Sequence, residues 1–479
     1  MTVVTVLTVW LATLLLGSGA WVAMSGWPRR AGERWCALGG GWILGAMVCA
    51  LLVRALAGNE LGSALSRVAI TTVIGGGVLW ALSWALRSRT PDAAAAPMLW
   101  RTTTADRIWI ALVLAMLCWR VALLFDDILL HPILPWDAWA VWLSKAKAWV
   151  LAGHIEPSVP VETWIAQSQS ATRTGIAWLY PELVSWIAVW FAAGVHWVEP
   201  QIALAWLGLG ISLMLLQYGH WRALGVRPLF ATAGAYALGS LPLLDAHVAL
   251  GGYADLWVAA ALALGVHAWL RWSLGERRQI VFVVIAIVLL PMIKLEGAAW
   301  SILLGVACVF GALPRRLQVR RFAIGFVVLI ALVLASIALG VSWIGVARRY
   351  LDSGRFFDLD QIGNSAAALA AALWAQWNWN LLWFVLPAVL IGNFRNWISS
   401  PMTRRLAAFV ALPFAVMIGL FLFTTAARYA QSYSAVNRLL LQITPLLVSL
   451  LVLAVTTPDR AAKSCVGDQA DADAPSAAA

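Results

Sequence analysis

Charge is what this sequence has least of. Only 11% of its residues are Asp, Glu, Lys or Arg, less than half the roughly 25% usual in soluble domains. The hydrophobic share is 62% and the mean hydropathy +0.84, which excludes an ordinary soluble protein. The apolar runs lack the alternation of an outer-membrane barrel strand; they extend over about 17–25 residues, the length a helix needs to cross the hydrocarbon. Paired cysteines are also missing. Cys36, Cys49, Cys118 and Cys308 fall in apolar runs and Cys465 in the tail, which argues against a disulfide framework or a zinc site. The apolar N-terminus, followed by Gly17-Ser18-Gly19-Ala20, has no basic residues ahead of it, and Arg29 and Arg30 lie beyond it. It reads as a first transmembrane helix with its start outside, rather than as a signal peptide. Neither an internal repeat nor a soluble domain is visible.

What is present is a succession of spans. The expected fold is all-α and polytopic, with about 13 transmembrane helices near 4–24, 36–56, 68–86, 108–125, 201–218, 228–244, 253–272, 280–293, 298–313, 322–346, 370–391, 406–425 and 439–455. The net charge of +11 would suggest nucleic acid were it not spread over short loops. Arg29/Arg30/Arg34, Arg87/Arg89/Arg101/Arg107, Arg222/Arg227, Arg271/Arg277/Arg278, Arg315/Arg316/Arg320/Arg321 and Arg395/Arg404/Arg405 occupy alternate connections, the positive-inside pattern. They share one side only if 182–197 does not cross, so that segment is expected to be re-entrant or juxtamembrane. Most of the acids then gather on the other face: Asp126, Asp127, Asp137, Glu156, Glu162, Glu182, Asp245, Asp255, Glu296, Asp352, Asp358 and Asp360. Residues 457–479, rich in Ala, Asp and Ser, read as a disordered cytoplasmic tail. The domain reading is three additional N-terminal helices in 1–107, a membrane domain in 108–456 with an outer loop over 126–180, and the tail.

The densest signal is 135–149, Pro-Trp-Asp-Ala-Trp-Ala-Val-Trp-Leu-Ser-Lys-Ala-Lys-Ala-Trp. Asp137 is placed to cap a helix, and Trp139, Trp142, Ala146 and Trp149 recur at 3-4-3 spacing as one stripe bordered by Lys145. One reading is an interfacial helix with an aromatic belt and snorkelling lysines. The other is a carboxylate over an outer cavity, with rings for sugar faces and ammonium groups for phosphate; ionisable groups at such depth tend to be functional.

From Asp137 to Lys145, Lys147, Gly153 and Pro157, the pattern resembles the first periplasmic loop of GT-C-type membrane glycosyltransferases, in particular the protein mannosyltransferase and aminoarabinose transferase-like group. The likeness continues in order. Trp178-Leu179-Tyr180-Pro181-Glu182-Leu183 resembles their Pro-containing juxtamembrane helix. Asp245-Ala-His247 and Tyr253-Ala-Asp255 resemble their second acidic site. Lys294-Leu-Glu296-Gly297 is similar to a Lys-x-Glu-Gly tip, and Asn437-Arg438-Leu439 to the arginine opening a late helix. The resemblance covers roughly 108–455 and implies transfer of a sugar from a polyprenyl-phosphate carrier to an envelope glycan, lipid or protein acceptor at the periplasmic face of a bacterial inner membrane. It implies Asp137 as base or orienting carboxylate, with Asp255 and Asp127 as further acids. Lys294, Arg438 and Lys145 would bind the donor phosphate, and Trp139, Trp142, Tyr253, His247 and Glu296 the substrate. Asp137 is followed by Ala138, where many members have a second acid, so metal use stays open between none and a divalent cation, and the Asp126-Asp127 pair stays a rival site.

Other readings stand beside these. Asp255 could simply serve its helix dipole, Asp245 and His247 structural hydrogen bonds, and Lys294 and Glu296 a hairpin tip. The loop 348–360 could be a cap or a substrate lid, and Arg428 a phosphate ligand or an anchor. For the whole chain the rivals are a transporter or flippase, which would show repeats and mid-membrane polar groups, and a non-catalytic scaffold.

Overall fold

A computed structural model describes residues 3–57, 60–87, 102–155, 158–159, 166, 176–177, 180–194, 196–311, 359–433 and 435–456. Backbone polar groups in hydrocarbon must be satisfied within their own segment, and the regular secondary structure of the described residues is helical apart from one two-residue parallel pair, Ser158–Val159 with Ile176–Ala177. Its first half holds α1 (Val3–Ser25), α2 (Ala31–Leu56), α3 (Leu61–Leu86), α4 (Thr104–Leu130), α5 (Leu143–Ala152), α6 (Leu183–Ala192), α7 (Glu199–Ala223), α8 (Pro228–Gly239) and α9 (Pro242–Ala249). Then come α10 (Asp255–Ser273), α11 (Ile280–Ile293), α12 (Glu296–Gly311), α13 (Ile362–Ala370), α14 (Leu382–Gly392), α15 (Phe394–Ser399), α16 (Pro401–Phe423), α17 (Ala427–Gln431) and α18 (Val436–Thr456).

Among the described residues seven helices are long and apolar enough to cross a membrane: α1, α2, α3, α4, α7, α16 and α18. The pair α8–α9, bent by 64°, would be an eighth. The chain is thus a multi-pass membrane protein. The expected single span over 370–391 is instead broken. A π-turn at Ala371–Ala375 leads to left-handed Trp377 and Asn380 before α14 begins. Helices α11 and α12 are shorter, at 14 and 16 residues. The expected span 322–346, the basic loop 315–321, most of the loop 348–360 and the tail 457–479 lie outside the described residues.

Small residues let the first helices approach closely, the usual device where lipid offers no hydrophobic drive between helices. A Cβ on Gly17 of α1 would lie 1.8 Å from the Gly41 carbonyl of α2, and one on Gly39 would lie 2.3 Å from the Ser212 carbonyl of α7. All ten residues of α6 are buried. It rises about 15 Å, half of a hydrocarbon core of about 30 Å, so it cannot cross. Its Trp190 indole donates to Thr13, midway along α1, at 2.8 Å.

The arginine-rich connections meet at one end of the bundle. Arg30 pairs with Glu276 at 3.6 Å, Arg271 with Glu276 at 2.5 Å and Glu33 at 3.6 Å, and Arg227 with Asp106 at 3.2 Å. At the far end, Lys147 pairs with Glu199 at 3.3 Å, Glu199 also accepts from the Ile133 amide, and the Leu61 amide donates to the Gly153 carbonyl at 2.8 Å. These contacts fix the segment 131–155 across the far ends of α3 and α7.

Candidate active site at the far end of the bundle

The site is built around a broken connection. Between α9 and α10, Gly251 and Gly252 take left-handed φ values of 64° and 80°, a conformation open mainly to glycine. A Cβ on Gly252 would sit 2.4 Å from the Ala138 Cβ, so the bare backbone at 252 is what lets the start of the Asp137 segment settle there. The Tyr253 carbonyl accepts from the Trp206 indole at 2.8 Å. Trp206 is seven residues into α7, so the floor lies about 10 Å below that helix's start.

Asp255, the first residue of α10, is fully buried. Three donors satisfy it: Lys294 at 2.8 Å and Gln442 at 2.7 Å on Oδ1, and the Arg438 Nε at 2.8 Å on Oδ2. A carboxylate without water requires such a set. Arg438 extends the chain, because its Nη1 donates to Asp137 Oδ2 while the guanidinium lies 5.3 Å from the centre of the Tyr253 ring. Lys294 also meets Glu296 at 3.2 Å. Asp137, Arg438, Asp255, Lys294 and Glu296 therefore form one continuous ionic chain drawn from four distant parts of the sequence. Three carboxylates face two cations in it, and Glu296 Oε2 is buried without a partner.

Around that chain, His247 packs on Tyr253 with ring centres 4.7 Å apart. Its Nδ1 lies 2.9 Å from the Leu243 carbonyl and its Nε2 is buried without a partner. The Trp300 indole donates to Gln442 at 2.6 Å, orienting the amide whose other end holds Asp255.

Two local expectations are corrected. Asp137 makes no side-chain cap, because its carboxylate is engaged by Arg438 instead. The stripe is also incomplete. A π-turn spans Ala138–Trp142 before α5 begins, and this wider turn takes Trp139 out of phase with the face below it. Trp142, Ala146 and Trp149 are buried, whereas Trp139 is 48% exposed and its ring lies 4.5 Å from that of exposed Trp136. Trp142 lies against Tyr180, ring centres 5.9 Å apart.

Other residues singled out from the sequence lie elsewhere. Lys145 is buried and donates to the Tyr180 carbonyl at 3.0 Å; burial holds its ammonium below the usual lysine range, with Glu182 opposing. Asp127 pairs with His131 at 2.9 Å, outside the chain of charges. Asp245 pairs with Arg120, which also donates to the Gly239 and Ser240 carbonyls at the α8–α9 bend. Arg428 lies over the ring of Tyr429, next to it in sequence, at 4.7 Å. Of the juxtamembrane motif, Trp178 and Leu179 lie outside the described residues.

Gln442, Trp300 and Arg120 were not anticipated. Gln442 had a usable signal, since it sits four residues after Arg438 in an otherwise apolar helix and so shares its face. So did Arg120, an arginine inside an apolar run. For a divalent ion the fit is poor: the described residues include no group of three or more His, Cys, Asp or Glu placed to hold a metal, and Asp137 and Asp255 each commit an oxygen to Arg438. No protein-family model, curated protein or solved structure matches this chain.

Proposed function

We propose that this chain is a membrane glycosyltransferase that moves a monosaccharide from a polyprenyl-phosphate carrier to an envelope glycan, lipid or protein acceptor. The observation that carries the reading is Arg438 shared between the carboxylates of Asp137 and Asp255, with Lys294 completing the set. A transfer of this class needs a carboxylate for the acceptor proton and cations for the phosphate that leaves, in one water-poor place. The acceptor oxygen forms a bond to the anomeric carbon as the bond from that carbon to the phosphate oxygen breaks. The bonding pair leaves with the phosphate, and the acceptor proton passes to Asp137. General base catalysis of this kind contributes about 10²–10⁴-fold, and fixed cations at the leaving oxygen often contribute more. Arg438 and Lys294 take that role here. Before substrate arrives their charge is occupied by the acids; a bound phosphate competes for Arg438 and releases the Asp137 carboxylate. The exposed Trp136–Trp139 pair beside Asp137 supplies an apolar and aromatic rim for a sugar face or an isoprenoid.

In this reading the basic end faces the cytoplasm of a bacterial inner membrane and the site faces the periplasm. Thirteen crossings, with α10, α11 and α12 among them, are the arrangement that makes every arginine loop cytoplasmic. The three N-terminal helices are additions to the catalytic bundle, although α1 and α2 pack directly on α6 and α7.

A second reading, a transporter or flippase of a lipid-linked or charged substrate, draws on a different observation. Gln217, His220, His267 and Ser449 form a buried polar cluster within the bundle, His267 lying 2.7 Å from Gln217 and Ser449 2.8 Å from it. Purified protein given a panel of radiolabelled polyprenyl-phosphate sugars and a membrane-extract acceptor separates the two. Asp137→Asn is expected to lower transfer by about 10²–10⁴-fold. Unchanged transfer in the variant removes Asp137 from the chemistry. Absence of transfer by the wild type with every donor, together with uptake into proteoliposomes, favours transport.

A further inference from the structure

The span expected over 370–391 is interrupted beside the ionic chain, between the π-turn at Ala371–Ala375 and α14. We propose that this break, residues 376–380, is the sugar-recognising wall of the site, and that the sugar it takes is uncharged. The assignment rests on the glycosyltransferase reading and gives it a class of donor.

Position is the first support. The Asn378 carbonyl accepts from the Leu243 amide at 3.1 Å, one turn before His247 on α9. Gln376 Oε1 accepts from the Asn378 side chain at 3.1 Å and from the Asn437 side chain at 2.9 Å, and Asn437 directly precedes Arg438. The break is thus tied both to the helix that carries His247 and to the one that opens with Arg438. The Asn380 side chain donates to the Ser240 carbonyl at 2.8 Å. Ser240 follows the 12 residues of α8, so the break lies about 18 Å in from the basic end. At such depth irregular backbone is tolerated only where protein buries it or where it lines a watery cavity. Asn380 is exposed, so the second condition holds.

The chemistry of the wall is the second. Residues 361–394 contain no Asp, Glu, Lys or Arg, and the polar side chains of the break are the amides of Gln376, Asn378 and Asn380. An amide sets a donor beside an acceptor, which suits the neighbouring hydroxyls of a sugar. Asn437 is more than nine-tenths buried and its Oδ1 has no partner among the described residues. An acceptor for a hydroxyl is therefore unsatisfied one residue from the guanidinium that this reading gives to the phosphate. An ammonium or carboxylate on the sugar would find no opposite charge in the wall and would be costly to bury there.

The third is Trp377. Its φ of 54° is an outlier for so bulky a side chain, yet it is 79% exposed, so packing does not account for it. Trp379 is buried and its indole donates to the Ala372 carbonyl at 3.1 Å, which pins the break without help from residue 377. Strain of this kind gathers where a side chain is used. Contact with lipid tails would explain an exposed ring, but it would leave the adjoining amides in hydrocarbon. The apolar face of the indole instead meets the C–H face of a sugar whose hydroxyls reach those amides.

The test uses full-length protein in a neutral detergent. It is titrated with a short-chain polyprenyl phosphate, with that carrier bearing a hexose, and with that carrier bearing an amino sugar; retained lipid is counted by native mass spectrometry. Wild type should retain the hexose carrier about tenfold more tightly than the bare carrier, and the amino-sugar carrier no more tightly. Trp377→Gly and Asn380→Gly keep the left-handed backbone at their positions and remove only side chains. Each should erase most of the hexose preference and leave retention of the bare carrier unchanged. Equal retention of hexose and bare carriers by wild type overturns the proposal. So does a preference for the amino sugar, which would move recognition to Glu296. A hexose preference that survives both substitutions also overturns it, as does an equal loss of the bare carrier, which would make the break a structural joint alone. Transfer to a membrane-extract acceptor is followed in parallel. A hexose preference that the substitutions erase, with no transfer, removes the glycosyltransferase reading and leaves the wall; transfer without that preference removes the wall and leaves the reading.

Discussion

Asp255 shows how much one buried carboxylate can organise. Its two oxygens accept three hydrogen bonds from α18 and from the turn after α11, so helices far apart in sequence are joined through a single group. Removing one member of a buried pair leaves an uncompensated charge, at a cost of about 3–5 kcal/mol, whereas removing both partners together is far milder. Asp255→Leu and Lys294→Met should therefore each lower the thermal unfolding midpoint of the detergent-purified protein sharply, and the double variant should recover most of the loss. Additive losses would mean that the pair is not a unit. At this scale the sequence was only partly readable. Asp137, Asp255, Lys294 and Arg438 stood out as charges beside apolar runs, and they converge. The tasks of Lys145 and Asp127 did not show, because the Tyr180 carbonyl, 35 residues on, and a histidine four residues away engage these charges without leaving a trace in hydropathy.

Among the elements, α6 and the α1–α2 pair bear most directly on the site. Helix α6 is too short to cross, and it packs its whole length inside the bundle, which keeps α5 and the Asp137 segment at the far end. Gly17 sits where two backbones nearly touch. Gly17→Leu should force α1 from α2 and destabilise the protein by about 1–3 kcal/mol, read as a lower unfolding midpoint or lost expression; an unaltered midpoint would show that the helices can slide apart freely. Span existence was legible for the seven long helices because a continuous apolar run signals itself. The break after Ala375 was not, since its left-handed residues are Trp377 and Asn380 rather than glycine.

For the molecule as a whole, the alternation of arginine loops placed 182–197 off the list of crossings, and the helix there is ten residues long. Sidedness is open to direct measurement. A cysteine at Trp136 should react with a membrane-impermeant maleimide in intact spheroplasts, and one at Arg34 only after permeabilisation. Reaction of both in intact cells would mean that the two ends of the bundle do not face different compartments. Of the native thiols, Cys36 and Cys49 are buried and Cys118 lies inside the long apolar helix α4; Cys308 and Cys465 are replaced by serine in the background for this measurement.

The π-turn at Ala138–Trp142 has a genetic counterpart. Such a turn is an α-helix carrying one surplus residue, so deleting Ala140 would return the segment to ordinary winding. Everything before the deletion would then rotate by roughly 100° relative to α5, swinging the Asp137 carboxylate away from Arg438 while leaving every charged side chain in the protein. Under the proposed function, a one-codon deletion should thus silence transfer as thoroughly as Asp137→Asn, and a single alanine inserted within two residues of the gap should restore it.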